Sequence, residues 1–403
     1  MTARETGSTD ATRTLFSPHT ADDPHPAYER VRRECPVARI GPDDEEGRTR
    51  GQVFLSRYDD IFWAMRNPEY FTSEDLDLYL GEQPQIPLEV DPPAHTKYRR
   101  LLNPQFVPRE IERHEPEVRS IVRELIDGFA GRGRCDFHEE LATPLPSRIF
   151  LPLMGLPRED LPMFLRWRDM NVRPDVAPGD FGGAERVRQQ ASREMNEYFR
   201  GAIADRRTEP DDGLLSHIVH AEIEGRPLTE TELLGMSHLL LVGGLDTVTA
   251  TLDCMVAFLA THDDHRRQIV EDPSIVPSAV EELLRWLTPV MLVPRAVAQD
   301  VELRGVQLYA GDAVNLVLGA ANMDEDAFGE PEVDFGRDPN RHLAFGGSHH
   351  LCLGAHLARL ELRVALEELH ARIPDYRIAE GADVRYSTGI RQANHLPLEF
   401  DPA

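Results

Sequence analysis

Apolar side chains recur at helical spacing through most of the chain, and alternate as in a strand in only a few short stretches. Tyr28 and Val31 share one face of a helix expected over residues 25–35. Residues 52–56 alternate like a short strand, and a helix over 58–66 ends at Asn67-Pro68, because the residue before proline is pushed out of the α region. From Ser73 to Pro93 the periodicity disappears and prolines gather at 84, 87, 92 and 93. So long an irregular stretch within a domain reads as a working loop. Helices are expected over 94–102, 110–128, 186–205, 229–261, 276–287 and 353–372, and two antiparallel strands, 301–304 and 313–318, are expected to flank the turn-rich residues 305–312. The polar residues 1–24 read as a flexible N-terminal segment, and residues 25–403 as one domain that is mainly α with small β-sheets.

Residues 229–261 form the longest helical candidate. Thr229 and Glu232 fit a capping box, and Leu233, Met236, Leu240, Leu241, Leu245, Val248, Leu252 and Val256 go almost all the way round, as in a buried central helix. Its middle carries Gly243, Gly244, Asp246 and Thr247, and each glycine there costs about 1 kcal/mol relative to alanine. Two readings fit. In the first, the helix packs closely, Thr247 bonds back to a carbonyl and Asp246 pairs with an arginine. In the second, a flat group approaches the backbone and Asp246 and Thr247 handle protons beside it.

Composition narrows the function. Seventy acidic against 44 basic residues give a net charge of −26, which excludes a nucleic-acid backbone as a partner. No apolar run approaches the roughly 20 residues of a membrane span, so the chain is expected in the cytoplasm without membrane insertion. Cys35, Cys135, Cys254 and Cys352 are too few for a disulfide framework in a chain of 403 residues.

Only Cys352 has supporting architecture. It follows Phe345-Gly346-Gly347-Ser348-His349-His350-Leu351 and precedes Leu353-Gly354 and a helix. A thiolate at a helix start gains from free backbone N–H groups and the helix dipole, so it can stay ionised and bind a metal. Gly346 and Gly347 permit the tight turn, Gly354 lets N–H groups approach, and Phe345 can shield the sulfur. Zinc held by His349, His350, Cys352 and His356 is an alternative, but it lacks a second ligand pair at finger-like spacing and leaves the glycines unexplained. Iron in a porphyrin, with Cys352 as its one protein ligand, explains more.

Taken together, these residues resemble the cytochrome P-450 family of haem-thiolate monooxygenases, from about residue 24 to 402, and most of all its soluble bacterial camphor- and terpenoid-hydroxylating members. The cysteine loop matches at Phe345, Cys352 and Gly354, with Ser348 where the family pattern has glycine. Glu282-Leu283-Leu284-Arg285 matches the family's Glu-x-x-Arg, with Arg337 as the expected third partner. Gly243 to Thr247 matches the oxygen-activation segment, with glycine for the usual first alanine. His95 and Arg99, with Arg295 and His350, match the haem-propionate contacts.

The resemblance implies haem b (iron protoporphyrin IX) held by Cys352, insertion of one atom of O₂ into a C–H bond, and electrons from NAD(P)H through a separate ferredoxin and ferredoxin reductase. Asp246 is implied as the acid and Thr247 as the alcohol that orders the proton supply. The substrate pocket is expected to draw on the 73–89 loop, residues 163–181, Leu240, Gly244, the apolar Val290, Met291, Leu292 and Val293, and residues 389–391, with Ile390 and Arg391. That wall favours a lipophilic terpenoid, steroid or polyketide. Arg100, Arg109, Arg341, Arg359 and Arg363 are candidates for a basic docking patch, and a monomer is expected. A haem protein without turnover and a zinc hydrolase are the competing classes.

Overall fold

The expected central helix is present but jointed: Glu230–Leu245 and Thr247–Thr261 meet at Asp246, whose backbone (φ −108°, ψ −39°) departs from helical values. The capping box forms. The Thr229 hydroxyl accepts from the Glu232 N–H at 3.3 Å, and the Glu232 carboxylate accepts from the Thr229 N–H at 2.6 Å. Around this axis pack Pro144–Met154, Leu161–Val172 and Phe181–Thr208 on its first half, and Val276–Leu287 and Ala355–Arg372 on its second. The shared core includes Leu233, Met236, Leu241, Leu245, Leu252, Val256, Phe164 and Phe199. The structure is a computed structural model and describes residues 11–15, 18–41, 51–74, 83–177, 180–388 and 390–403.

A five-stranded sheet runs in the order Val37–Ile40, Gln52–Leu55, Ala313–Leu316, Val293–Val297, Phe71–Thr72. All its pairings are antiparallel except Ala313–Leu316 with Gln52–Leu55. The two strands expected to pair across residues 305–312 do not meet. Val301–Leu303 turns back at once onto Val306–Leu308, because Arg304 and Gly305 both adopt positive φ (50° and 78°) and close a two-residue hairpin. Ala313–Leu316 is thereby released to join the larger sheet.

The helix expected over 110–128 is two helices, Pro108–Glu112 and Glu115–Asp127, with Pro116 in the first turn of the second, where its missing N–H is harmless. The helix expected over 186–205 spans Phe181–Thr208, capped by the Asp180 carboxylate on the Gly183 N–H at 2.8 Å. The N-terminal segment is not loose where it is described. Residues 11–15 form a helical turn and Pro18–Asp22 a short helix, with Ala11 and Leu15 buried beside Tyr28, Val31 and Met291. Of the irregular loop, residues 75–82 lie outside the described residues. Its second part presses on the central helix at Gly235, where a Cβ would come within 2.2 Å of the Pro84 carbonyl oxygen.

Candidate active site

In the cysteine loop the Cys352 N–H donates to the Phe345 carbonyl at 2.9 Å, closing a turn in which Gly346 (φ 69°) and Ser348 (φ 58°) are left-handed. Serine is thus held where glycine fits freely, at a cost of about 1 kcal/mol. The following helix begins at Ala355, and Gly354 is its N-cap. The Gly354 N–H hydrogen-bonds the Cys352 sulfur. Burial pushes the Cys352 thiol up, while the Gly354 N–H, Arg99 and Arg359 pull the other way. A bound metal cation would reverse the balance and hold the thiolate. The other cysteines are buried, and burial raises them to about 11 (Cys35 and Cys254) or about 12 (Cys135); Cys352 alone has accessible surface, although surrounding protein still desolvates its thiol. The Arg359 guanidinium lies over the Phe345 ring, 4.5 Å from its centroid.

Next to the loop is a group of basic side chains with one carboxylate, Asp91, close to them among the described residues. His95 is 2% exposed, and neither ring nitrogen has a hydrogen-bond partner. Its ring centroid lies 4.4 Å from that of His350, which is 4.5 Å from that of His349. A ring nitrogen of His350 meets the Ser73 hydroxyl at 3.0 Å. Arg295 is buried and donates only to the Pro294 carbonyl, and Arg99 donates to the Leu351 carbonyl at 2.9 Å. No carboxylate pairs with either arginine among the described residues. Burial holds His95 down at about 4, His350 at about 2 and Arg295 at about 10, the neighbouring positive groups adding to the histidine shifts. Orphaned ring nitrogens and an unpaired buried guanidinium are what two haem propionates would satisfy, so the residues present fit the group. The zinc set of His349, His350, Cys352 and His356 is not brought together. The cluster of possible ligands in this region is Asp91, His349 and His350, within 4.8 Å of one another and without the cysteine.

Glu282, Arg285 and Arg337 do converge. Arg285 grips the Glu282 carboxylate with Nε at 2.8 Å and Nη2 at 2.7 Å, and Arg337 Nε lies 3.1 Å from both oxygens. Asn340 and the Asp334 N–H also donate to Glu282, and the arginines reach the carbonyls of Asn322, Phe328, Glu330 and Glu332.

Between Glu232 and Ala260 the central helix is buried except at Leu239, Val242, Gly243, Gly244 and Thr247. Leu239, Gly243 and Thr247 are spaced by four and make one accessible stripe. A Cβ at Gly243 would meet nothing within 4 Å, so this is where a flat group can reach the backbone. Gly244 differs from expectation: a Cβ there would lie 2.6 Å from the Phe150 ring, so this glycine admits a packing contact and not a ligand. Thr247 donates to the Gly243 carbonyl at 3.1 Å. Asp246 is fully buried and accepts from Arg173 Nη2 at 2.7 Å and Nη1 at 3.1 Å, with Arg168 Nε at 3.7 Å. The sequence reading did not single out Arg168 and Arg173. They lie in residues 163–181, taken only as pocket wall, and no local pattern links them to Asp246.

The expected pocket wall is partly redrawn. Val290, Leu292 and Val293 are partly accessible, but Met291 alternates to the other side and is buried against Tyr28 and Val31. Leu240 is in the main core, and its neighbour Leu239 is the accessible one. Ile390 bridges to Val290; Gly389 lies outside the described residues. Arg391 is no pocket residue. It is buried, donates to the Ala21 and Asp22 carbonyls at 2.7 and 3.0 Å, and stacks on Tyr386. In the basic patch, Arg359 pairs with Glu281 and Arg363 with Glu115 and Glu367, while Arg100, Arg109 and Arg341 stay exposed.

Residues 161–370 match the family model described as cytochrome P450. A steroid C26-monooxygenase of Mycobacterium tuberculosis is 35% identical over 88% of this chain and 96% of its own length. A vitamin D(3) 25-hydroxylase of Pseudonocardia autotrophica is 36% identical over 96% of both chains. Among solved structures, the Bacillus subtilis bacillaene polyketide synthase cytochrome P450 PksS superposes with a TM-score of 0.85 at 32% identity, covering 96% of this chain and all of that one. CYP109E1 from Bacillus megaterium in complex with testosterone superposes at 0.87 with 29% identity, over 96% and 100%.

Proposed function

The chain belongs to the cytochrome P450 family and is a haem-dependent monooxygenase, and from that premise we propose that it hydroxylates an unactivated C–H bond of a bulky lipophilic molecule of steroid or polyketide type, with electrons delivered by a ferredoxin. Haem b, when bound, supplies the activation of O₂ and the transfer of one oxygen atom to carbon, the other leaving as water.

The protein's own residues do the rest. Cys352 would hold the haem iron through its thiolate, and the Gly354 N–H steadies the charge on that sulfur. His95, Arg99, Arg295 and His350 would hold the propionates of the haem. Thr247 holds a water at the stripe, and Asp246 supplies protons by exchanging its ion pair with Arg173 for contact with that water. Val290, Leu292 and Val293 present an apolar, partly accessible wall to the substrate. The names of the relatives, which act on steroids, vitamin D3 and polyketides, support a large apolar ligand over a small terpenoid. Arg100, Arg109 and Arg341, with the exposed Val107 and Leu351, offer an acidic ferredoxin an apolar centre with a basic rim. Residues 25–403 act as one haem domain, onto which residues 11–15 and 18–22 also pack, and the enzyme works as a cytoplasmic monomer.

The observation that carries this reading is an accessible cysteine beside a buried basic cluster in which Arg99 and Arg295 pair with no carboxylate among the described residues and both His95 ring nitrogens lack partners. Reduced protein under carbon monoxide should show the long-wavelength Soret band of a thiolate-ligated haem, and Cys352→Ala should lose it. A colourless protein, or an unchanged band in the variant, would overturn the assignment. Thr247→Ala should keep NADH consumption but divert it to hydrogen peroxide, and a low-to-high-spin shift on adding steroids or macrolides would identify the substrate class.

A further inference from the structure

Seven residues after Asp246 the central helix carries a second buried carboxylate, Asp253. Seven residues are close to two turns, so the two acids lie on one side of the helix, roughly 10 Å apart along its axis. Asp253 Oδ2 faces Nδ1 of His138 at 2.8 Å, and Oδ1 is buried without a partner. His138 opens a single turn of π-helix, His138–Ala142, packed on the second half of the central helix, a local form that recurs at functional sites.

His138 also lines a solvent-open cavity of about 490 Å³ whose wall includes Glu139, Arg168, Arg173, Tyr386 and Gln392. One cavity therefore touches the partner of Asp253 and both arginine partners of Asp246. Arg168 Nη1 and both amide atoms of Gln392 are buried without hydrogen-bond partners. Polar atoms so placed are where ordered water binds.

We propose that His138 and Asp253 form a proton-storing couple that positions and replenishes the acid Asp246. A solvent proton enters at His138 Nε2, the ring passes its Nδ1 proton to the Asp253 carboxylate, and the couple returns a proton through cavity water to the Asp246–Arg173 pair. Every proton leaving Asp246 is replaced by one from bulk water. Only O–H and N–H bonds form and break, and no electron moves. The inference rests on the monooxygenase reading, in which Asp246 supplies protons. His138 and Asp253 act through Asp246 and are positioning residues.

The electrostatics agree. Burial pushes Asp253 up to about 6 despite the pull of His138, with Asp136 and Asp246 adding to the rise. Burial alone would lower His138, but Asp253, Glu139 and Asp136 raise it. The two groups are coupled: Asp253 is raised to about 6 and His138 is raised above its ordinary value, so a proton can be shared between them. Other charged or titratable groups facing it are Arg168, Asp169, Arg173, Arg385 and Tyr386 around the cavity, Cys254 next to Asp253 on the helix, and Arg391 against Cys254 from the C-terminal part of the chain.

Infrared difference spectra of the holoenzyme from about pH 5 to about 8 test the couple directly. A carbonyl stretch of a buried protonated carboxylic acid should titrate in that range, vanish in Asp253→Asn and shift in His138→Gln. With substrate and redox partners, coupled product formation should fall roughly tenfold in both variants, with more peroxide, a larger solvent isotope effect and a displaced pH profile. Haem content, the position of the CO band and KM should hold. An absent band in the parent protein overturns the proposal, as does a loss of rate that only follows a loss of Tm with the pH profile and isotope effect unchanged. His138→Gln carries the test alone if Asp253→Asn fails to fold. Failure of the monooxygenase reading is seen separately, as a parent protein without the thiolate-type CO band or without oxidised product.

Discussion

Two buried charged clusters flank the cysteine loop, built from the same chemistry and satisfied to opposite degrees. In the Glu282 cluster every guanidinium nitrogen of Arg285 and Arg337 and both carboxylate oxygens are hydrogen-bonded, and only Asn340 Oδ1 at its edge is buried without a partner. In the His95 cluster two ring nitrogens have no partner, Arg295 has only a backbone carbonyl, and the positive groups depress one another. A saturated cluster braces the chain, whereas an unsaturated one has a ligand to bind, because a buried polar group left unpaired costs about 1–3 kcal/mol. The pair Asp246–Arg173 lies between these extremes: well bonded, but with one partner at the edge of a water-accessible cavity.

The contrast can be broken by mutation. The largest effect should come from Glu282→Ala, which strands two arginines and should cost about 3–5 kcal/mol, read as a fall in the chaotrope midpoint of the holoenzyme. A smaller and differently signed response should follow Arg295→Leu. Removing an unpaired buried cation should leave the haem-free protein no less stable, while haem binding weakens by about 2 kcal/mol, roughly 30-fold, in a transfer assay to apomyoglobin. If both variants lose stability alike, the distinction between the clusters fails.

Acid should separate the clusters as well. His95 is held at about 4, below the ordinary histidine value, so its buried neutral form stabilises the fold fully above that ordinary value and loses the contribution as pH falls toward 4. Glu282 is held below the ordinary carboxylate value, so its contribution survives until lower pH. Haem-free protein should therefore lose Tm from about pH 6.5 downward, and bound haem, whose propionates favour charged histidine, should flatten that slope. The smallest expected change is in the loop itself. Ser348→Gly should relieve the left-handed serine and raise stability by about 1 kcal/mol without moving the CO band.

Much of this was legible in the chain. Helices at 58–66, 94–102 and 276–287 match the structure residue for residue, since their apolar spacing and prolines are local signals. The loop around Cys352 could be read for the same reason: turn, cysteine and helix start are contiguous. Strand pairing could not, because the positive φ of Arg304, which closes its hairpin early, has no sequence signature of its own. Nor could Met291, Gly244 and Arg391 be placed, since which side of a strand or helix meets a cavity depends on what packs there: Tyr28, Phe150 and the N-terminal carbonyls.

The sequence by itself determined the helices, the thiolate loop and the residue types required for haem chemistry, because those depend on neighbours a few positions away. Only the tertiary structure decided which charges are neutralised. Asp246 with Arg173 and His138 with Asp253 are joined across 73 and 115 residues, and whether a buried charge has a partner is fixed by distance in space.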